Sequence, residues 1–280
     1  MKIVAAHYYN EPRSRLIANR MKDPSDEKAI EEAANDMAPH VPYGAIVVPA
    51  PSSTGYNPAT RILAHYIASM VDGLSVEAVK RVSMVESSLL RRRVGRSGVG
   101  FDAHVASMRR VKKLQKETAP IVFVDNVVTS GSTLEAMRAV LELGDDDVLA
   151  VVYADARRYV RQNDATPTRV CIAGSRGYKH LERIDAVLDS LAPDTVIVSG
   201  AARGVDAYAA RSAQERGFRV EEFKADWERL GRAAGPVRNR AMIETCQALY
   251  AFWDGASRGT LHAMRTATLL GLPIEVVLDD

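Results

Sequence analysis

The chain has 280 residues, 47% hydrophobic and 26% charged, a globular composition that excludes wholesale disorder and, at roughly 100–200 residues per domain, suits two domains or one large one. Lys plus Arg number 37 against 35 Asp plus Glu, a formal charge of +2, which argues against a protein devoted to coating nucleic acid or an anionic membrane. No apolar run reaches the ~20 residues of a membrane helix, the start at Met1–His7 lacks a signal-peptide apolar run, and two cysteines without a CxxC spacing, Cys171 and Cys246, suit reduced core thiols in a cytoplasmic protein.

In chain order, the first strand pattern is Lys2–Ala6, and residues 1–40 carry no recognisable motif. Ala45–Pro49 is the second strand, followed by a helical apolar spacing over Ala59–Val71. Residues 91–113 hold eight basic side chains (Arg91, Arg92, Arg93, Arg96, Arg109, Arg110, Lys112 and Lys113) against one acid, Asp102. Two readings of that run stay open, a solvated face and a clamp for a polyanion. Ile121–Asp125 is a third strand, Leu134–Leu143 a helix and Val148–Tyr153 a fourth strand.

Residues 157–168 are polar, contain Pro167 and lack periodicity, so they read as a linker. Beyond it come strand patterns at Arg169–Ala173, Thr195–Ser199, Phe218–Phe223, Ala248–Trp253 and Pro273–Leu278, with a helix over Ile184–Leu191. Short apolar strands alternating with amphipathic helices imply an α/β protein with parallel sheets covered on both faces. The expected architecture is two doubly wound parallel-sheet domains in tandem, 1–157 and 169–280, joined by a linker at 158–168.

The stretch from Ile121 to Thr133 is the most informative. A strand ends in Asp125 and Asn126, and a loop of Thr129, Ser130, Gly131, Ser132 and Thr133 opens a helix. Unpaired N–H groups at the helix start, hydroxyl donors and a glycine that closes the backbone suit a phosphate. The acid and amide at the strand end can reach sugar hydroxyls beside it. This stretch resembles the phosphoribosyl pyrophosphate motif of type I phosphoribosyltransferases. The resemblance implies ribose contacts from Asp125 and Asn126 as catalytic residues, and a 5′-phosphate on Thr129–Thr133. Asn126 replaces the family's usual second acid and removes a charge that helps an oxocarbenium-like transition state. Val48–Ser53 and Gly55–Ala59 are similar to segments of the competence-associated branch. They imply pyrophosphate contacts from Ser52, Ser53, Lys80 and Arg81, Mg²⁺ as cofactor, with its protein ligands left open, and a basic hood at 91–113.

The C-terminal half repeats a glycine-plus-arginine chemistry at four turns. They are Gly174-Ser175-Arg176, Ser199–Asp206 with Gly200, Arg203 and Gly204, Gly235–Arg240 with Arg238 and Asn239, and Trp253–Thr260 with Ser257, Arg258, Gly259 and Thr260. Turns after parallel strands share one sheet edge, where glycines admit a ligand and arginines offer planar forks for phosphate. These motifs resemble a SLOG-superfamily Rossmann domain, a group that includes phosphoribohydrolases and the core of DNA-processing protein A. The phosphoribohydrolases pair an arginine with a glutamate three positions after a Gly-Thr, and here Ala263 occupies that position. Trp227 and Trp253 read first as core residues, with stacking on a base the alternative for either.

The leading expectation is therefore a phosphoribosyltransferase-type enzyme, or a nucleotide N-glycosidase, acting at the anomeric carbon of a ribose 5-phosphate compound. A non-catalytic sensor of nucleotide-derived ligands is the first alternative and a DNA-processing protein the second. A small-molecule partner is expected, with membrane excluded, nucleic acid argued against by net charge, and a homo-oligomer left open.

Overall fold

The computed structural model describes residues 1–93, 98–114, 119–157 and 168–279. Among the described residues, those up to 157, Arg93 excepted, form an N-terminal unit and those from 168 a C-terminal unit. Nearly all of the expected linker, at 158–167, lies outside the described residues, as does Arg96 of the basic stretch.

The N-terminal unit holds a parallel sheet of β1 (Lys2–Tyr8), β2 (Ile46–Pro49), β3 (Leu74–Ser75), β6 (Ile121–Val128) and β7 (Val148–Asp155), in the order β1-β7-β6-β2-β3. Alternation along the central strands sorts their side chains between two cores. Val122, Val124 and Val151 join one core with residues of α1 (Pro12–Arg20), α2 (Glu27–Met37) and α3 (Ala59–Met70). Ile121, Phe123 and Val152 join the other, under α6 (Ser132–Val140). A small antiparallel hairpin of β4 (Val79–Arg81) and β5 (Met108–Arg110) stands apart from this sheet. Between its strands lie α4 (Ser88–Arg93) and α5 (Phe101–Ala106).

The C-terminal unit is a second parallel sheet, β8 (Arg169–Gly174), β9 (Val196–Ser199), β10 (Arg219–Glu222), β11 (Ala248–Trp253) and β12 (Ile274–Leu278), ordered β10-β9-β8-β11-β12. Cys171, Val198, Leu249 and Trp253 face one side, packed with residues of α10 (Ala234–Glu244) and α11 (Arg258–Leu269). The unit's other helices are α7 (Glu182–Ser190), α8 (Val205–Glu215), which packs on β8 and β9, and the short α9 (Trp227–Leu230). Two doubly wound α/β sheets are thus present, as expected.

Three local expectations change. β6 runs three residues past Asp125, because Val127 and Val128 still pair with Ala154 and Asp155 of β7. Asp125 and Asn126 therefore lie within the strand and not at its end. α6 starts at Ser132, so Ser132 and Thr133 form its first turn and not the loop before it. Trp227 is 56% exposed, whereas Trp253 is core and donates its indole N–H to Ser257 O at 3.2 Å.

Candidate functional site

Both sheets reverse direction at one point. In the C-terminal unit β8 connects through α7 to β9 on one side, while β11 connects through α11 to β12 on the other. Open α/β sheets bind ligands at such a reversal, beyond the carboxyl ends of the strands. A cavity of about 330 Å³ lies there, within the range of small-molecule sites. Its lining includes Gly174, Arg176, Asp206, Arg238, Asn239 and Asp254, with Ser257, Gly259, Thr260 and Ala263 from the start of α11.

Backbone packing brings these groups together. A Cβ at Gly174 would sit 2.5 Å from Phe252 O and 2.7 Å from Val205 Cγ2, so only glycine lets β8 end against both neighbours. Gly204 has φ +84°, and a Cβ there would meet Arg176 Cα at 2.7 Å, so the turns after β8 and β9 stack backbone on backbone. Ala201 also lies in the left-handed region, φ 54°, a strained conformation for a residue with a Cβ and one concentrated at functional turns. Buried Ser175 pins the floor: its Oγ accepts the Asp254 N–H at 3.1 Å and lies 3.4 Å from Thr260 Oγ1.

Charge is set into this floor. Asp206 is buried, accepts the Gly174 N–H at 3.2 Å and faces the Arg238 guanidinium at 3.9 Å. Burial raises its pKa, and Arg238 with the N–H groups of Gly174, Ala202 and Gly200 offsets only part of that. Arg238 donates from Nε to Asn239 Oδ1 at 2.9 Å, and Asn239 Nδ2 donates to Gly259 O at 3.2 Å, which ties α10 to the start of α11. The Asp254 carboxylate is pushed up by desolvation, but N–H groups of Ser257 and Ala256 outweigh that and hold it below its ordinary value. Ser257 caps α11 by accepting from Thr260 N.

Eight of the thirteen C-terminal residues singled out from the sequence line this cavity: Gly174, Arg176, Asp206, Arg238, Asn239, Ser257, Gly259 and Thr260. Ser175, Gly200 and Gly204 support it from behind. Arg203 and Arg258 are exposed and not among its lining residues. Asp254 lines it without having been picked out. Its position at the carboxyl end of β11, on the ligand-binding edge, was the available signal.

The N-terminal unit reverses between β2 and β6, since β2 connects to β3 on one side and β6 to β7 on the other. The turn at 50–55 and the loop at 129–131 therefore flank one crevice. Gly131 sits at φ +86°, which only glycine adopts freely, and turns the chain into α6. Ser130 is exposed and bonds Ser132 Oγ at 2.9 Å; Thr129, Ser132 and Thr133 are half-buried. Asp125 Oδ1 accepts the Asn126 N–H at 2.7 Å. Ser52 Oγ is committed to its own turn, accepting N–H groups of Gly55 and Asn57, while Ser53 Oγ is buried with no hydrogen-bond partner among the described residues. Arg81 holds the turn by donating to Ser52 O at 2.7 Å and to Ser107. Lys80 lies on the other face of β4 and is exposed. No group of three His, Cys, Asp or Glu able to hold a metal occurs among the described residues. A Mg²⁺ ion beside Asp125 would take most of its shell from substrate phosphates and water, the usual arrangement for Mg²⁺.

One comparison with known proteins falls within the C-terminal unit. Residues 168–230 match the model of the YAcAr family, described as a YspA, cpYpsA-related SLOG family. Over 116 residues the chain is 40% identical to the gene 61 protein of Mycobacterium phage D29, covering 38% of this chain and 93% of the phage protein. The chain belongs to the family of that phage protein. Residues 168–230 are a SLOG-family domain. Among the solved structures that resemble the chain are two DNA processing proteins. DNA processing protein A of Streptococcus pneumoniae matches with a TM-score of 0.35 and 20% identity, over 39% of this chain and 50% of that one. DNA processing protein A of Helicobacter pylori matches with a TM-score of 0.34 and 23% identity, over 40% and 66%. The chain thus spans half of one and just under two thirds of the other. None of these matches supports the phosphoribosyltransferase resemblance.

One expectation about partners is corrected. Net charge argued against nucleic acid, but the two structural neighbours named above are DNA processing proteins, and the second is described as having a single-stranded DNA binding mode. The physical fault lay in summing over the whole chain. A charge of +2 conceals local imbalance, and the β4–β5 hairpin carries Lys80 and Arg109 side by side. The membrane expectation rests on the helices alone: no described helix is long and apolar enough to span a bilayer.

Proposed function

We propose that the SLOG domain binds a nucleotide-derived small molecule through its phosphate and does not cleave it. The observation that carries this reading is the convergence of Arg238, Asp254 and the start of α11 on one cavity at the strand-order reversal. Arg176 and Arg238 supply guanidinium forks, and the first turn of α11 presents N–H groups and the positive end of the helix dipole. Asp254 retains acceptor capacity for a sugar hydroxyl after taking two N–H bonds. Ala263 lines the cavity where the resembling phosphoribohydrolases carry glutamate, so the carboxylate that would assist glycosidic cleavage is missing. Titration with a panel of nucleoside monophosphates, with released base assayed in the same samples, tests the reading. Saturable binding without free base is expected; release of base, or no binding across the panel, would reject it.

A second reading concerns the N-terminal unit and is favoured by its own reversal point. There Gly131, Ser130 and the first turn of α6 offer a cradle for the 5′-phosphate of a ribose compound, with Asp125 and Asn126 beside it. Phosphoribosyl transfer with Mg²⁺ would follow from that cradle. Incubation with phosphoribosyl pyrophosphate, Mg²⁺ and a set of bases, read as pyrophosphate released, tests it directly.

A further inference from the structure

The β4–β5 hairpin sets Lys80 directly opposite Arg109 in an antiparallel register. Directly opposed side chains on such a pair lie about 4.5–5.5 Å apart at Cβ, and like charges there destabilise the hairpin. Neither residue has a carboxylate partner among the described residues, and the same holds for exposed Lys112 and Lys113, which follow β5. The neighbouring Arg110, by contrast, is paired with Glu142 at 2.9 Å. Two cations on this strand pair and two just beyond it thus lack a carboxylate partner among the described residues, and the opposed pair is a stability cost.

The direction of Lys80 and Arg109 separates them from the crevice at Ser52. Side chains alternate along a strand. Arg81 turns toward Ser52 and Ser107, so Lys80, one residue earlier, and its cross-strand neighbour Arg109 face the other way. Exposed apolar groups accompany the charges: Val82 is 53% and Val111 49% accessible, and Phe101, on the helix that packs beside β5, is 44% accessible. Cations interleaved with apolar and aromatic surface match a polyanion whose bases are open to contact. A duplex keeps its bases stacked inside, and inorganic polyphosphate has none.

We propose that the outer face of the β4–β5 hairpin binds single-stranded DNA, through Lys80 and Arg109 on phosphates, with exposed Lys112 and Lys113 just beyond β5 extending the phosphate contacts, and through the adjoining apolar side chains on bases. This surface belongs to the N-terminal unit, whereas the nucleotide cavity belongs to the C-terminal one.

The test uses the full chain and a fluorescent oligothymidylate, titrated across a salt series. Four phosphate contacts give a slope of log affinity on log salt of about −3 for a single strand, and removing two lowers it to about −1.4. The double variant Lys80→Ala/Arg109→Ala is expected to show that smaller slope and at least tenfold weaker binding at low salt. Its melting temperature should be unchanged or raised, since a like-charge pair is relieved, and its affinity for nucleoside monophosphate should be unchanged. The proposal is overturned by any of three results: no oligothymidylate binding at low salt, equal binding by the variant, or binding to a duplex of the same length as tight as to the single strand. Capture by anionic phospholipid vesicles in place of oligothymidylate would likewise overturn it and assign the surface to a membrane.

Discussion

Arg238 lies against the backbone of Gly200 so closely that a Cβ there would sit 2.0 Å from its Nη1 and 2.6 Å from Asp206 Oδ2. The missing side chain at 200 is what allows guanidinium and carboxylate to meet over the turn after β9. Both atoms in the way are the far ends of side chains, which can move. Gly200→Ala should therefore displace the pair without unfolding the domain, weakening nucleotide binding by tenfold or more, about 1.4 kcal/mol, with little change in melting temperature. Gly174→Ala meets backbone at Phe252 and the Val205 side chain instead, and should lower the melting temperature sharply. Calorimetric titration and thermal melts of the two variants distinguish these outcomes.

Asp206 gives a pH dependence of definite sign. Burial first raises its pKa in the folded protein above the ordinary 3.8, and Arg238 only partly opposes this. The folded state then binds more protons than the unfolded state just above the ordinary value, so stability falls as pH rises through the raised pKa. Asp206→Asn removes the titrating group. Stability of wild type relative to this variant should be greatest in acid and decline as pH rises through the folded pKa, which denaturant melts across a pH series would show.

His104 behaves in the opposite sense. It is buried on α5, neither ring nitrogen has a hydrogen-bond partner among the described residues, and burial, with Arg81 second, lowers its pKa from 6.5 to about 4. The unfolded chain binds the proton first, so stability is intact above 6.5 and is lost as pH falls toward 4. His104→Leu replaces an unsatisfied polar ring by an apolar group, which costs little in such a site. The variant should match or exceed wild type near neutral pH and lose less stability between pH 6.5 and 4.

Gly131 tests the second phosphate cradle. A Cβ there would meet only Ile3 Cδ1 at 3.4 Å, so Gly131→Ala brings the strain of φ +86° without a serious clash. A cost of about 1 kcal/mol is expected, seen as a melting shift of a few degrees, together with loss of any pyrophosphate release from phosphoribosyl pyrophosphate.

The strand pattern was legible because runs such as Ile121–Val124 and Val196–Val198 are apolar on both faces, which only a covered parallel sheet requires. β3, β4 and β5 were not, since strands of two or three residues holding Lys80, Arg109 and Arg110 carry no apolar run; their pairing comes from tertiary contacts. The glycine-rich turns pointed to the SLOG cavity because Gly174 and Gly204 are forced by close backbone packing. The arginines beside them were less informative. Arg238 and Arg203 look alike in sequence, yet one is nearly buried over Asp206 and the other is exposed, a difference set by which helix each side chain meets. Asp254 shows the converse, a site residue marked in sequence only by its place just after β11, whose reach into the cavity follows from the pairing of β11 with β8.

The most direct measurement is a calorimetric titration of the intact protein and Arg238→Ala with nucleoside monophosphates, with free base quantified at the end of each run. Saturable binding by the intact protein, its loss in Arg238→Ala, and no released base are the expected results. Equal affinity in the two proteins, or base accumulating with the intact protein, would contradict a SLOG cavity that holds a nucleotide by its phosphate and leaves it whole.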